Sequence, residues 1–404
     1  MISKKRVVVT GIGVTSALGY ETDVFFENLV NGCSAINTIE TMKYESIRRR
    51  NAAQIKLPIP IPTKWNNYCR AVQIALFAAE KAIIDAKIEI ESNEYNIGIC
   101  FGTTLGAIPE IQKQYCEVGA DKLSKIDEQV LLQFSYNTIM DTMAYEFHIK
   151  GMRNTLGLAC ASSTASIGHA FKWIKNGRLD AVLCGGADIF SLISHLIMSS
   201  MRLIALDVPK PFDVNRSGFV LGEGAGMLIL ESEESAIRRQ ANIYCEVLGY
   251  GESCDAEDLN HSDKEGNGLS LAMEKAIIES ELNKTEIGYI NAHGVGTKST
   301  DAMELKAIQN VFGSHAKSLY LSSIKGAIGH ASGACGVLDV IATVLTLIND
   351  KIPPTLNFRF NERMKDFNIV SEKCIQTNLK GVMSNSIAFG GINSSIILGK
   401  YNYE

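Results

Sequence analysis

Leu158-Ala159-Cys160-Ala161-Ser162-Ser163 is a turn of small residues that opens a helical pattern over Ser163–Asn176, and a strand pattern follows at Ala181–Gly185. This succession decides the fold class. Short β-branched runs alternate with helical patterns along the chain, the mark of α/β architecture. Further strands are predicted at Arg6–Thr10, Ile97–Gly102, Met227–Glu231, Ile287–Ala292 and Ser395–Leu398, and further helices at Val72–Ala86, Leu269–Glu279 and Leu338–Asn349. The opening unit has an echo. Lys325-Gly326-Ala327-Ile328-Gly329-His330 leads through Gly333-Ala334-Cys335-Gly336 into the helix Leu338–Asn349. The chain therefore reads as two similar halves, residues 1–246 and 247–404, dividing near Tyr244–Gly251. Each half delivers a reactive group beside the start of a buried helix, so halves meeting face to face put both groups in one cleft.

Composition narrows the class. The chain has 404 residues, 46% hydrophobic and 21% charged, with a net charge of −5. That balance opposes a nucleic-acid binder, which carries a basic stripe. Ten cysteines without a CxxC pair fit reduced thiols better than disulfides or a zinc site. The basic start Met1-Ile2-Ser3-Lys4-Lys5-Arg6 is followed by an apolar run that stops at Thr10-Gly11, so it reads as a strand and not a signal peptide. No stretch reads as the roughly 18 uncharged apolar residues of a membrane span. A soluble, cytoplasmic protein without membrane partners is expected.

Cys160 is the candidate nucleophile. A thiol at a helix N-terminus is expected to be acidified by unpaired N–H groups and the helix dipole. Small neighbours leave the sulfur open to a substrate. His293, in Asn291-Ala292-His293-Gly294, ends a predicted strand before a glycine-rich loop, the end at which α/β proteins bind ligands. His330 lies between Gly329 and Ala331 ahead of a helix. Lys325, five residues earlier, is placed to tune the imidazoles if a carboxylate holds it, and Glu304 is the candidate partner. No short metal-ligand spacing joins these groups, so no metal is expected. Gly11-Ile12-Gly13 follows a strand, but the next glycine, Gly19, comes too late for a dinucleotide loop.

Cys160, Asn291-Ala292-His293-Gly294, Lys325…Gly329-His330 and Asn385-Ser386-Ile387-Ala388-Phe389-Gly390-Gly391-Ile392-Asn393 resemble the signature set of β-ketoacyl-acyl carrier protein synthases. The stretch from Pro211 to Gly226, PFDVNRSGFVLGEGAG, is similar to that family's most recognisable segment. The likeness runs in order over nearly the whole chain. It points to the elongating Cys-His-His branch, because His330 stands where the initiating branch has asparagine. The resemblance implies a thiolase fold, two pseudo-repeated halves in five α-β-α-β-α layers, assembled as a dimer. It implies that Cys160 accepts an acyl group from an acyl carrier protein, that His293 and His330 stabilise the enolate formed when malonyl-carrier protein loses carbon dioxide, and that Lys325, held by Glu304, positions His330. The N–H groups of Cys160 and Phe389 would form the oxyanion hole. Phe389 would gate the site, with Gly390 and Gly391 giving its loop freedom. No cofactor is implied beyond the carrier's phosphopantetheine.

The chain departs from the housekeeping pattern. His293-Gly294-Val295-Gly296-Thr297 has lost one of two hydroxyls of His-Gly-Thr-x-Thr, while Thr297 remains to bind the pantetheine arm. Met198 replaces a second gating aromatic, and Ala161-Ser162-Ser163-Thr164 differs from the common Thr-Ser-Gly. This drift points to a type II polyketide or aryl polyene pathway, where the catalytic subunit pairs with a chain-length-factor homologue lacking the cysteine. The alternatives are a housekeeping fatty-acid elongation synthase, in which the dimer is of two copies, and a non-catalytic partner subunit. A thiolase is disfavoured because Phe389-Gly390-Gly391 carries no second cysteine. The resemblance also implies an acyl tunnel lined by Leu105, Ile387 and Phe134 of the other subunit. Carrier docking is expected at Lys64, Arg70 and Arg202, with Arg48-Arg49-Arg50 a second basic stretch.

Overall fold

Val7–Ser16 forms β1, ten residues buried throughout. The strand runs six residues past its predicted end because Gly11 and Gly13 face the helix α1 (Arg70–Ala86) at contact distance. A Cβ at Gly13 would lie 1.9 Å from the Ala78 carbonyl oxygen. Close packing, not a nucleotide, accounts for these glycines. The computed structural model describes residues 4–39, 49–91, 96–118, 132–133, 135–258 and 262–402. Phe134 and Arg48 lie outside the described residues.

After α1 the chain forms β2 (Ile97–Gly102), β3 (Arg153–Leu156), α2 (Ser162–Lys175), β4 (Ala181–Asp188), α3 (Leu192–Ser200) and β5 (Gly224–Ser232). The second set comprises β6 (Cys245–Cys254), α4 (Asn267–Ser280), β7 (Ile287–Asn291), α5 (Lys298–Phe312), β8 (Tyr320–Ser322), α6 (Cys335–Asn349), β9 (Gly381–Ala388) and β10 (Ile392–Gly399). The first five strands stand in the order β3-β2-β4-β5-β1 and the second five in the order β8-β7-β9-β10-β6, the same path walked twice. The pairings repeat too. β2 is parallel to β3 and β4, and β5 is antiparallel to β4 and β1. Likewise β7 is parallel to β8 and β9, and β10 is antiparallel to β9 and β6. β1 and β6 join the two sets through three antiparallel pairs, Val7 with Val247 to Val9 with Cys245.

The layers follow from which faces are apolar. α1 covers the outer face of the first set, and α4 with α5 covers that of the second. Gly249 and Gly251 in β6 repeat the device of β1, since a Cβ at Gly251 would meet the Ala272 carbonyl oxygen of α4 at 1.9 Å. Between the sheets lie α2 and α6, back to back, giving the five-layer α-β-α-β-α thiolase-type arrangement. α6 is apolar around its whole circumference, as a helix buried on every side must be, and Asp339 is its one charged residue. Ser332–Asn349 does reach the length and mean hydropathy (1.6) of a membrane span, contrary to expectation, but 83% of it is buried inside the protein. It is a core helix.

Candidate active site

Cys160 sits in a 3-10 turn, Ala159–Ala161, directly before α2. Ala159 is left-handed (φ +46°), a strained conformation for a residue with a Cβ. The Ser162 hydroxyl holds the turn by donating to the Ala159 carbonyl at 2.6 Å and accepting the Leu158 N–H at 2.8 Å. The residue is half-buried and lines the cavity described below. Burial pushes the thiol up to about 11, and the Lys325 charge and the N–H groups of Cys160 and Phe389 only partly offset that. The expected acidification is therefore corrected: in the resting protein desolvation outweighs the helix N-terminus. The same two N–H groups are directed toward the thiol.

His293 leaves β7 as its main chain turns. The two carboxylate oxygens of Glu304 accept the N–H of His293 and of Gly294, both at 2.8 Å. Gly294 is left-handed, and a Cβ there would press on Ser323 and Phe212. His330 donates its N–H to the Val220 carbonyl and accepts the Gly222 N–H, so the Pro211–Gly226 stretch clamps its loop. Its Nδ1 accepts the Ser332 N–H at 3.0 Å, which leaves the ring proton on Nε2. The rings of His293 and His330 stand 5.6 Å apart, nearly perpendicular. Burial first, then the Lys325 charge, lowers His330 to about 3, and burial, Lys325 and His330 hold His293 well below its usual value. Both imidazoles are neutral at physiological pH, and His330 offers its Nε2–H.

Lys325 is held by Asp339 and not by Glu304. Its ammonium is 2.6 Å from Asp339 Oδ2, both side chains 1% exposed. Burial pulls the ammonium down, but Asp339 more than restores it, so the net shift is upward. Burial raises Asp339 to about 6 despite Lys325, and it raises Glu304 to about 7. The fold also brings His293, Cys335 and Asp339 close enough to hold a metal ion, their potential ligand atoms lying within 4.8 Å of one another. Sequence spacing gave no hint of that. The Lys325 ammonium already supplies the positive charge there.

A cavity of about 130 Å³ is lined by Cys160, His293, His330 and Phe389. Met198, Thr297, Ile387 and Gly390 line it as expected, alongside Phe219, Leu221 and Val295, which make one wall apolar. Thr104 lines it too, and the Leu105 N–H next to it is turned to Asp188. Phe389 is 37% exposed, and at Gly390 a Cβ would meet nothing, so the gate loop has open space on that side. A larger cleft, about 950 Å³, opens at the far end of α2 beside Lys172 and Lys175, but no nucleophile lines it.

The three basic residues differ. Lys64 pairs with Glu146 and lies over the Trp65 ring. Arg70 commits Nη2 to Glu223 and the Ile55 carbonyl, so it is partly turned inward. Arg202 is exposed beside Leu203, which lines the cavity. Arg49 reaches the same end of α3, donating to the Ser199 carbonyl at 3.5 Å. Sequence reading missed Asp339 and Asp188. The signal for Asp339 was available, a single carboxylate in an otherwise apolar helix.

Comparison with known proteins agrees with this geometry. Residues 4–236 match the family described as Beta-ketoacyl synthase, N-terminal domain, and residues 244–359 match Beta-ketoacyl synthase, C-terminal domain. The chain is 32% identical over 415 residues to a 3-oxoacyl-(acyl-carrier-protein) synthase 2 of Synechocystis sp., covering 99% of each. It is 33% identical over 417 residues to a protein of the same description from Staphylococcus aureus, covering 99% of this chain and all of the other. Among solved structures, the ishigamide ketosynthase/chain length factor superposes with a TM-score of 0.92 at 31% identity, covering 99% of this chain and 100% of that one.

Proposed function

This chain belongs to the β-ketoacyl synthase family, and from that membership we propose that it condenses an acyl group held on Cys160 with malonyl-acyl carrier protein to give 3-oxoacyl-acyl carrier protein. One observation carries the reading. A sulfur faced by two backbone N–H groups shares a cavity with two neutral imidazoles. In the first step the Cys160 thiolate attacks the acyl thioester and the carrier thiol leaves, with the N–H groups of Cys160 and Phe389 taking the oxyanion. Malonyl-carrier protein then loses carbon dioxide, and the enolate oxygen accepts hydrogen bonds from Nε2 of His293 and His330. The enolate carbon attacks the acyl-Cys160 carbonyl and the thiolate is expelled. Neutral imidazoles suit this task, since a ring N–H can hydrogen-bond to the enolate oxygen without protonating it. The buried Lys325 ammonium favours the negative charge that develops around the thiolate and the enolate.

Thr297 and the Phe389 loop would hold the phosphopantetheine arm, and Arg202 with Arg49 makes a basic edge for an acidic carrier protein. The ten cysteines, none in a disulfide, fit a reducing cytoplasm. Likeness to a ketosynthase/chain length factor structure and the losses at Val295 and Met198 support a specialised polyketide or aryl polyene pathway with a homologous partner subunit. The curated relatives favour a second reading, fatty-acid elongation by two copies of this chain. Intact Cys160, His293 and His330 oppose a non-catalytic partner. Mass spectrometry after incubation with an acyl-carrier protein should find an adduct at Cys160 that is absent from Cys160→Ala. A wild-type protein that never acylates would leave the partner-subunit reading standing. Stability of the purified chain alone, against a need for a co-expressed homologue, separates the two pathways.

A further inference from the structure

Asp188 ends β4 and is fully buried, and its carboxylate has no role in the chemistry above. Its two oxygens accept four hydrogen bonds. Oδ1 takes the Thr103 hydroxyl at 2.8 Å and the Leu105 N–H at 2.9 Å, and Oδ2 takes the N–H of Thr104 at 2.8 Å and of Gly333 at 2.7 Å. All the lone-pair directions of a carboxylate are then used. Among the described residues no Lys, Arg or His side chain forms an ion pair with it. Burial raises this carboxyl to about 6, and the four hydrogen bonds only partly offset that.

The donors come from both halves of the molecule. Thr103, Thr104 and Leu105 form the loop after β2, and Thr104 lines the cavity. Gly333 follows Ser332, whose N–H fixes the His330 tautomer. A Cβ on Gly333 would stand 2.6 Å from the Thr104 nitrogen, so the two segments touch without a side chain between them. The Thr103 carbonyl also accepts the Ser162 hydroxyl, which braces the Cys160 turn. One carboxylate thus binds the loop after β2 to the His330 turn.

We propose that Asp188 is a positioning residue that links occupancy of the acyl pocket to the placement of His330, so that loading Cys160 promotes decarboxylation of the malonyl group. The inference rests on the condensation reading. An acyl chain that shifts Thr104 moves the N–H groups bound to Asp188, and the Gly333–Ser332 segment follows because it hangs from the same oxygens. Release of carbon dioxide before an acyl group is in place would waste the extender, and this linkage opposes that order.

The test is Asp188→Asn, an isosteric change that replaces one accepting oxygen with a donor and leaves two of the four donors unpaired. Carbon dioxide release from malonyl-carrier protein is measured with Cys160 free and with Cys160 acylated, after mass spectrometry confirms the adduct. In wild type, acylation is expected to raise release at least fivefold. In the variant the adduct should form normally, the KM for malonyl-carrier protein should hold, and the stimulation should fall below twofold. Normal stimulation in the variant overturns the inference, as does wild-type release indifferent to acylation. Absence of any Cys160 adduct in wild type overturns the condensation reading and this inference together. If the variant does not fold, hydrogen exchange of wild type decides: acylation should alter exchange at Ser332 and Gly333, and unchanged exchange there overturns the linkage.

Discussion

Lys325 and Asp339 form a buried ion pair, with the ammonium 2.6 Å from Oδ2 and both side chains sealed from solvent. The lysine comes from the short helix before His330, and the aspartate from the second turn of α6. Burial dominates the shifts of both histidines and of the Cys160 thiol; Lys325 adds to the first two and opposes the third, so one cation acts on all three groups. Glu304 is freed for a different task, holding the main chain at His293 and Gly294.

Removing the lysine leaves Asp339 buried without a counter-ion. Lys325→Met is expected to abolish condensation and to cost about 3–5 kcal/mol of stability. The double variant Lys325→Met/Asp339→Leu should recover much of that stability and none of the activity. Urea denaturation checks both, and a single variant as stable as wild type would remove the ion pair from this account.

His330 acts on the enolate and not on the thioester transfer. His330→Ala should acylate at Cys160 normally while carbon dioxide release falls about 10²- to 10³-fold, the usual loss for one positioned donor. Because burial lowers His330 to about 3, the decarboxylation rate of wild type should show no histidine titration near pH 6.5. Unchanged release in the variant would overturn the role.

The resting thiol is a weak acid. With Cys160 pushed up to about 11, the thiolate fraction grows about tenfold per pH unit across pH 7 to 9. Alkylation of the Cys160 peptide by iodoacetamide, followed by mass spectrometry, should rise with that slope. A plateau over the range would mean that the sulfur is already ionised.

Glu304 should make the fold weaker as pH rises. Burial raises it from 4.5 to about 7, so the folded state binds the proton more tightly than the unfolded chain. Stability from this group is therefore present at low pH and lost between roughly 4.5 and 7. Glu304→Gln removes the titration but leaves one N–H unpaired, which costs about 1–3 kcal/mol. The stability gap between wild type and variant should accordingly narrow by about 1–3 kcal/mol from pH 5 to pH 7. A gap that does not change with pH refutes the shift.

Much of this was legible in one dimension. The α/β class, the repeat of turn and helix, and the separate turns bearing Cys160, His293 and His330 all rest on local signals, namely periodicity and small residues at tight turns. The strands β3, β6, β8 and β9 escaped; β3 is polar and β8 has three residues, so neither of those two carries a hydrophobic period of its own. The Gly11-Ile12-Gly13 turn-like signature proved to be a strand whose glycines admit α1.

The order of residues thus determined which groups stand at turns beside buried helices, because backbone preference acts over a few neighbours. Only the folded chain decided that Lys325 answers to Asp339, that the sulfur is raised instead of acidified, and that Asp188 joins the loop after β2 to Gly333, which lies 145 positions beyond the aspartate. Charge pairing and desolvation depend on distance and enclosure in space, and those are settled when the sheets close over α2 and α6.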